Sequence, residues 1–356
     1  MITALLALLL AACASTPGPR TPCSNPLPSP QPSGWSTDPK AITSYVASGL
    51  IPRYYASVMQ DGGDAFVRST ATGATLATIQ APSAGTNDVA AVTAASDDRT
   101  FVVETQPYGE SGTPGAFYLF HLSSSGRPGA LRRLPVSLPS GQWANGIALS
   151  PDANSLAVAT VSAPASQQQE FGIEVYSLAT GTVRSWTGQG APVEAKTALS
   201  WTRDERTLSF AWGTTPGARL LDLAAPGGNL LTASRAAPIG AYQAWTCSGF
   251  PVITPDGKTL ACSAYPSGNP NEELAGIAEY SLAGGTFEHV LGSHLSAWEG
   301  ASLWWENSTG SVAIGTIRGP FSSCPTNLSP TVGVFAGNRF IALTGAPDWF
   351  IGDYAW

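Results

Sequence analysis

Charge is scarce in this chain. Only 12% of its 356 residues are charged, and the net charge is −7. Of 17 basic side chains just three are lysines, Lys40, Lys196 and Lys258, a bias associated with GC-rich bacterial genomes of the actinobacterial type. Apart from Arg132-Arg133 the basic residues stand singly. Nothing forms the basic patch that displaces counterions from a phosphate backbone, so nucleic acid is not expected as a partner. Histidine is scarcer still: His121, His289 and His294 are the whole set. They form no helical or strand pair, and no Cys-x-x-Cys accompanies them, so no metal ligand is expected. Gly-x-Ser-x-Gly is missing; its nearest relative, Gly109-Glu-Ser111-Gly112, reads as a loop tip. No glycine loop opens a helix to hold a phosphate, so no cofactor and no catalytic residue is assigned. Long runs at helical period are also missing.

What is abundant is turn and strand chemistry. Glycine numbers 38, proline 29, and hydrophobic residues make up 43%, too apolar a mix for disorder. Threonine, serine, valine and aromatics fill the spaces between turns and favour strands. The clearest turn is Thr254-Pro255-Asp256-Gly257-Lys258-Thr259, with Val252-Ile253 before it and Leu260-Ala261-Cys262 after. Pro sets φ, Asp bonds its own backbone and Gly tolerates positive φ, so this is a hairpin.

The hairpin recurs. Ser150-Pro151-Asp152, Thr202-Arg203-Asp204 and Ser96-Asp97 align with it, and Asn307-Ser308 is a degenerate fifth copy. Positions 97, 152, 204, 256 and 308 are separated by 55, 52, 52 and 52 residues. About twenty residues on, an alternating strand follows: Phe117–Leu122, Ile173–Leu178, Arg219–Leu223 and Ile277–Leu282. A small-residue turn and a short fourth strand come next, as in Leu131–Val136, Val183–Trp186 and Phe287–Leu291. Two hairpins per repeat make a four-stranded antiparallel blade, and blades arranged radially make an all-β propeller. Six blades are expected. The first, from Tyr54, lacks its inner strand. Since an open ring leaves a bare edge, Trp349–Trp356 is expected to supply it; otherwise Ala41–Ala47 does so as a strand. The four aspartates Asp97, Asp152, Asp204 and Asp256 are then turn residues spaced around a rim, and do not converge on a substrate.

Thr254 to Ala261, and after it Ser150 to Val158, resemble the Ser-Pro-Asp-Gly-Lys-x-Leu-Ala hairpin of TolB-type, WD-repeat-like propellers. The resemblance spans roughly Tyr54 to Leu343 as a pattern. The Gly-His and Trp-Asp pairs of eukaryotic WD repeats are missing. The resemblance implies a binding surface and does not say what is bound.

Ile2–Leu10 is an apolar run well short of the ~20 residues of a membrane-spanning helix. It has the length of a signal-peptide core, although no Lys or Arg precedes it. Leu10-Ala11-Ala12-Cys13 resembles the bacterial lipobox, which implies cleavage after residue 12 and a lipidated Cys13. Residues 13–40, rich in Pro and Ser, then read as a tether to an extracytoplasmic domain over 41–356. Four further cysteines, Cys23, Cys247, Cys262 and Cys324, suit an oxidising compartment and allow three pairings. Cys247 with Cys262 is the most local.

Tryptophan, with 11 copies, is the residue left to explain. Trp143, Trp245 and Trp298 lie about ten residues before the aligned turns, at the entry to inner strands. They either ring the channel mouth, ready to stack a sugar or grip an apolar partner, or wedge between blades. Long loops at 107–115, 162–170, 266–273 and 320–330 are further binding candidates. The expected function is a monomeric, lipid-anchored, non-catalytic module binding a protein or glycan. The alternatives are a propeller enzyme of lactonase or glycan-lyase type and a structural part of an envelope assembly.

Overall fold

The computed structural model describes residues 35–59, 63–82, 87–107, 115–162, 170–189, 198–212, 218–239, 245–247, 251–266, 276–292, 300–306, 311–318, 331–343 and 351–356. The chain is a six-bladed β-propeller. Blade two shows the plan. Asn87–Ala94 is the inner strand, Thr100–Pro107 the second, Ala116–His121 the third and Arg132–Arg133 the outer. Blade three repeats it with Gln142–Leu149, Ser155–Ser162, Glu170–Ser177 and Val183–Gln189. Blade four uses Leu199–Trp201, Thr207–Ala211, Ala218–Asp222 and Ser234–Ala236. In blade five the inner strand comes in two pieces, Trp245–Cys247 and Val252–Ile253. Thr259–Pro266, Gly276–Ser281 and Phe287–Leu291 complete it. Blade six is Gly300–Glu306, Val312–Arg318, Thr331–Ala336 and Arg339–Ala342.

Blade one closes the ring. Tyr54–Met59, Ala65–Ser69 and Thr75–Ile79 are its three outer strands, and Ile351–Ala355 is the inner one. The expected C-terminal closure is therefore what the fold contains. The alternative strand at Ala41–Ala47 is instead helix Pro39–Ala47. The reason is local: Asp38 caps it, its Oδ1 accepting from the Lys40 and Ala41 amides at 3.1 Å, and Pro39 takes the first turn. Ile42 on this helix is buried against both blade six and blade one. Just ahead of it, Trp35–Ser36 pairs in parallel with the outer strand of blade six. The folded part thus reaches into the segment read as tether.

The core is not central. Among the described residues, an apolar cluster lies at each of the six seams between blades, and a seventh, smaller one gathers Cys262, Ala278 and Tyr280 of blade five. At the seam of blades three and four, Trp186, Phe171, Phe210 and Leu208 are fully buried. This follows from strand alternation: both faces of a blade meet a neighbour, so both must be apolar near the axis. Blade four contributes a strand the turn pattern did not foretell. Gly228–Asn229 leaves blade four to pair in parallel with Trp186 and Thr187 of blade three. At Gly227 a Cβ would stand 2.8 Å from the Ser185 carbonyl, so only glycine lets the backbones come this close.

Candidate functional site

The repeated aspartates are the most conspicuous polar groups, and each is engaged by its own turn. Asp97 Oδ1 accepts from the Arg99 and Thr100 amides at 2.9 and 2.8 Å, and Oδ2 accepts from the Thr100 hydroxyl at 2.6 Å. Asp152 accepts from the Ser150 hydroxyl at 2.7 Å and the Asn154 amide at 2.9 Å. Asp204 and Asp256 accept from Thr202 and Thr254 hydroxyls at 2.7 and 2.9 Å. Burial alone would raise the Asp152 pKa, but the bonds from Ser150 and Asn154 outweigh it and hold it at about 2. Asp97, Asp204 and Asp256 are also held below the usual carboxylate range, in each case by bonds from their own turns. Donors of this kind favour the charged form.

The residue after each aspartate turns left-handed: Asp98, Ala153, Glu205 and Gly257 have φ of 61°, 60°, 57° and 72°. Two of these residues bridge to a neighbouring blade. Asp98 accepts from the Arg53 and Tyr54 amides of blade one at 2.8 and 3.1 Å. Glu205 Oε1 accepts from the Asp152 amide of blade three at 2.9 Å. Burial raises the pKa of Asp98 and of Glu205. Prolines of the motif join in, Pro151 and Pro255 carbonyls accepting from the Ser96 and Arg203 amides at 3.2 and 2.7 Å. The rim turns thus form a belt of bonds from blade one to blade five.

A second belt runs along the inner strands. Asp353 Oδ2 accepts from the Val92 amide at 3.1 Å, tying blade one to blade two. Thr93 Oγ1 accepts from the Leu149 amide at 3.0 Å, and the Ala148 carbonyl accepts from Trp201 Nε1 at 3.0 Å. Ser200 Oγ accepts from the Ile253 amide at 3.1 Å. Neither belt was legible as such, because most of the partners lie about one repeat away in sequence.

Trp143 stands on the inner strand of blade three, partly buried, and packs against the cluster joining blades three and four. Trp245 begins the inner strand of blade five, where it pairs with Pro266; its side chain lies outside the described residues, as does Trp298. Their grouping at one mouth therefore lies outside the described residues. Cys262 is buried and disulfide-bonded. The backbone of Cys247 lies opposite Ala264, two residues along the strand from Cys262. The side chains of Cys13, Cys23, Cys247 and Cys324 lie outside the described residues, as do His294, Ser111 and most of each long loop. His121 is exposed at the end of a third strand, its Nδ1 2.8 Å from the Thr100 hydroxyl.

Two buried polar clusters escaped sequence reasoning. In blade three the Tyr176 hydroxyl donates to Glu174; burial raises both pKa values, and the carboxylate raises the phenol further. At the closing seam Tyr55, Tyr354 and Trp356 stack, with centroids 5.3 Å apart for Tyr55–Trp356 and 5.4 Å for Tyr354–Trp356. Burial pushes the Tyr55 phenol up to about 12 despite the Arg68 guanidinium.

No protein-family model and no curated protein matches the sequence. Solved structures do. TolB from Acinetobacter baumannii is similar at TM-score 0.56 and 14% identity, over 88% of this chain and 69% of that one. An oligogalacturonate lyase from Vibrio parahaemolyticus gives 0.49 and 14%, over 83% and 80%. The Cps50 (Swd1) β-propeller domain from Myceliophteria thermophila gives 0.46 and 12%, over 80% and 79%. At these identities the likeness is one of fold: the chain is a β-propeller, similar in fold to TolB.

Proposed function

We propose that this chain is a non-catalytic, extracytoplasmic propeller, anchored through a lipid on Cys13, that holds a protein or glycan. The observation that carries the reading is the use made of the repeated polar groups. Asp97, Asp152, Asp204 and Asp256 point their oxygens at amides and hydroxyls of their own turns, spaced around the rim. Groups so committed hold a scaffold and are poorly placed to serve as acid or base. The disulfide at Cys262 supports an oxidising compartment. A rigid ring with varied loops is a design for recognition.

The test is recovery of the full chain from membranes, with mass spectrometry of the N-terminal peptide and of whatever accompanies it. A diacylated Cys13 with one enriched partner or bound glycan is the expected result. An unmodified peptide that runs through Cys13 would remove the anchor. Turnover of a lactone or uronate polymer by the purified chain would replace binding with catalysis.

A further inference from the structure

Blade five breaks the repeat at one place. Counting from the turn aspartate, the equivalent third-strand position is Leu119 in blade two, Val175 in blade three and Leu220 in blade four, opposite residues 102, 157 and 209. All three are buried in seams. In blade five the residue opposite Ala261 is Glu279, whose side chain is only 1% exposed. Its Oε1 has no hydrogen-bond partner among the described residues. A buried carboxylate where the fold wants leucine is costly unless something of opposite charge reaches it.

The outer strand changes in step. Across from Leu119, Val175 and Leu220 stand Arg132, Arg184 and Arg235; across from Glu279 stands His289. Register slips between Glu279 and Tyr280, which face His289 and Phe287, so Glu288 is an extra residue. A bulge of this kind re-aims side chains. Its result here is that Glu288 and His289, adjacent in sequence, both bring a ligand atom to Glu279. One donor atom from each of the three lies within 4.8 Å of the others. His289 Nε2 is 3.3 Å from Glu279 Oε2. That is about the edge of a tetrahedron of metal bonds near 2.0–2.1 Å. Glu288 also accepts from the Thr259 hydroxyl at 3.5 Å, a contact that steadies it. Glu288 and His289 are solvent-exposed, so they can close the remaining distance while the buried Glu279 stays fixed.

We infer that Glu279, Glu288 and His289 form a binding site for a divalent first-row transition ion of the Mn²⁺-to-Zn²⁺ range, between the third and outer strands of blade five. One imidazole with two carboxylates suits such an ion better than Ca²⁺, which wants six or more oxygens. Two carboxylates neutralise it. Three protein donors leave a position for water or for a group from another molecule. The ion would pin the outer strand of blade five to its third strand.

The test is thermal unfolding and isothermal titration of the untagged full chain, stripped of metal, with Zn²⁺, Mn²⁺ or Ca²⁺ alone. One equivalent of Zn²⁺ or Mn²⁺ is expected to bind and raise Tm. His289→Ala should weaken binding at least tenfold. Glu279→Leu, which installs the residue blades two and four carry, should fold, unfold at a higher Tm than the metal-free parent, and show no metal-dependent rise. Equal binding by the parent and both variants, or no Zn²⁺ or Mn²⁺ binding at all, would overturn the site. Ca²⁺ binding in place of the transition ions would overturn the choice of metal.

Discussion

Gly257 is the one glycine among four residues that share a left-handed turn position, with Asp98, Ala153 and Glu205 its counterparts. A non-glycine residue there costs about 1 kcal/mol or a little more. A Cβ at Gly257 would also meet Thr202 Cγ2 at 3.2 Å. Gly257→Ala should therefore destabilise the fold by about 1–2 kcal/mol, read from the denaturant midpoint, and Ala153→Gly should move it the other way by less. At the closing seam, the Tyr55 hydroxyl is buried with no hydrogen-bond partner among the described residues. Removing an unsatisfied buried group relieves its desolvation cost, so Tyr55→Phe should raise stability by about 1 kcal/mol in urea unfolding. Asp152 sets a pH dependence. Its folded pKa, at about 2, lies below the ordinary aspartate value. The stability it adds is complete above the ordinary aspartate pKa of about 4 and falls away as pH drops through about 2. Glu205, raised by burial, acts in the opposite sense and favours the fold at low pH. Melting from about pH 5 to about pH 2 should show a shallower acid loss in Asp152→Asn than in the parent.

Among elements, the closing strand carries the greatest consequence. Ile351–Ala355 pairs with Ala56–Met59 and sends Asp353 across to blade two. A chain ending at Phe350 should bare one edge of blade one, lose cooperative unfolding and bind a hydrophobic dye at temperatures where the parent does not. The sequence showed this element because an incomplete first blade and an apolar tail left few other ways to finish the ring. It showed the third strands for a similar reason: Ile277–Leu282 alternates between two buried faces, and the structure has Gly276–Ser281. It concealed the belts and the blade-five cluster for a physical reason. Asp98 meets residues 44 and 45 positions away, and Glu288 reaches Glu279 only because the strand bulges. Neither register nor bulge is written in spacing. His289, weighed by its distance to His294, looked isolated because its partner is across a strand.

For the whole molecule, six seams share the work of one core, so no single blade holds the fold. The disulfide at Cys262 adds a covalent tie, and reduction should cost about 2–4 kcal/mol, read as a fall in Tm with dithiothreitol. Peptide mapping without reductant will name its partner. The ring also has an order of assembly. Tyr54–Met59 is among the first strands made, and the strand that pairs with its open side, Ile351–Ala355, is the last of those described. Until residue 355 exists, every later blade can form, yet the first must wait with a bare side. An interrupted product of synthesis would therefore be five finished blades and one sticky one, a species marked for degradation or self-association by its own incompleteness.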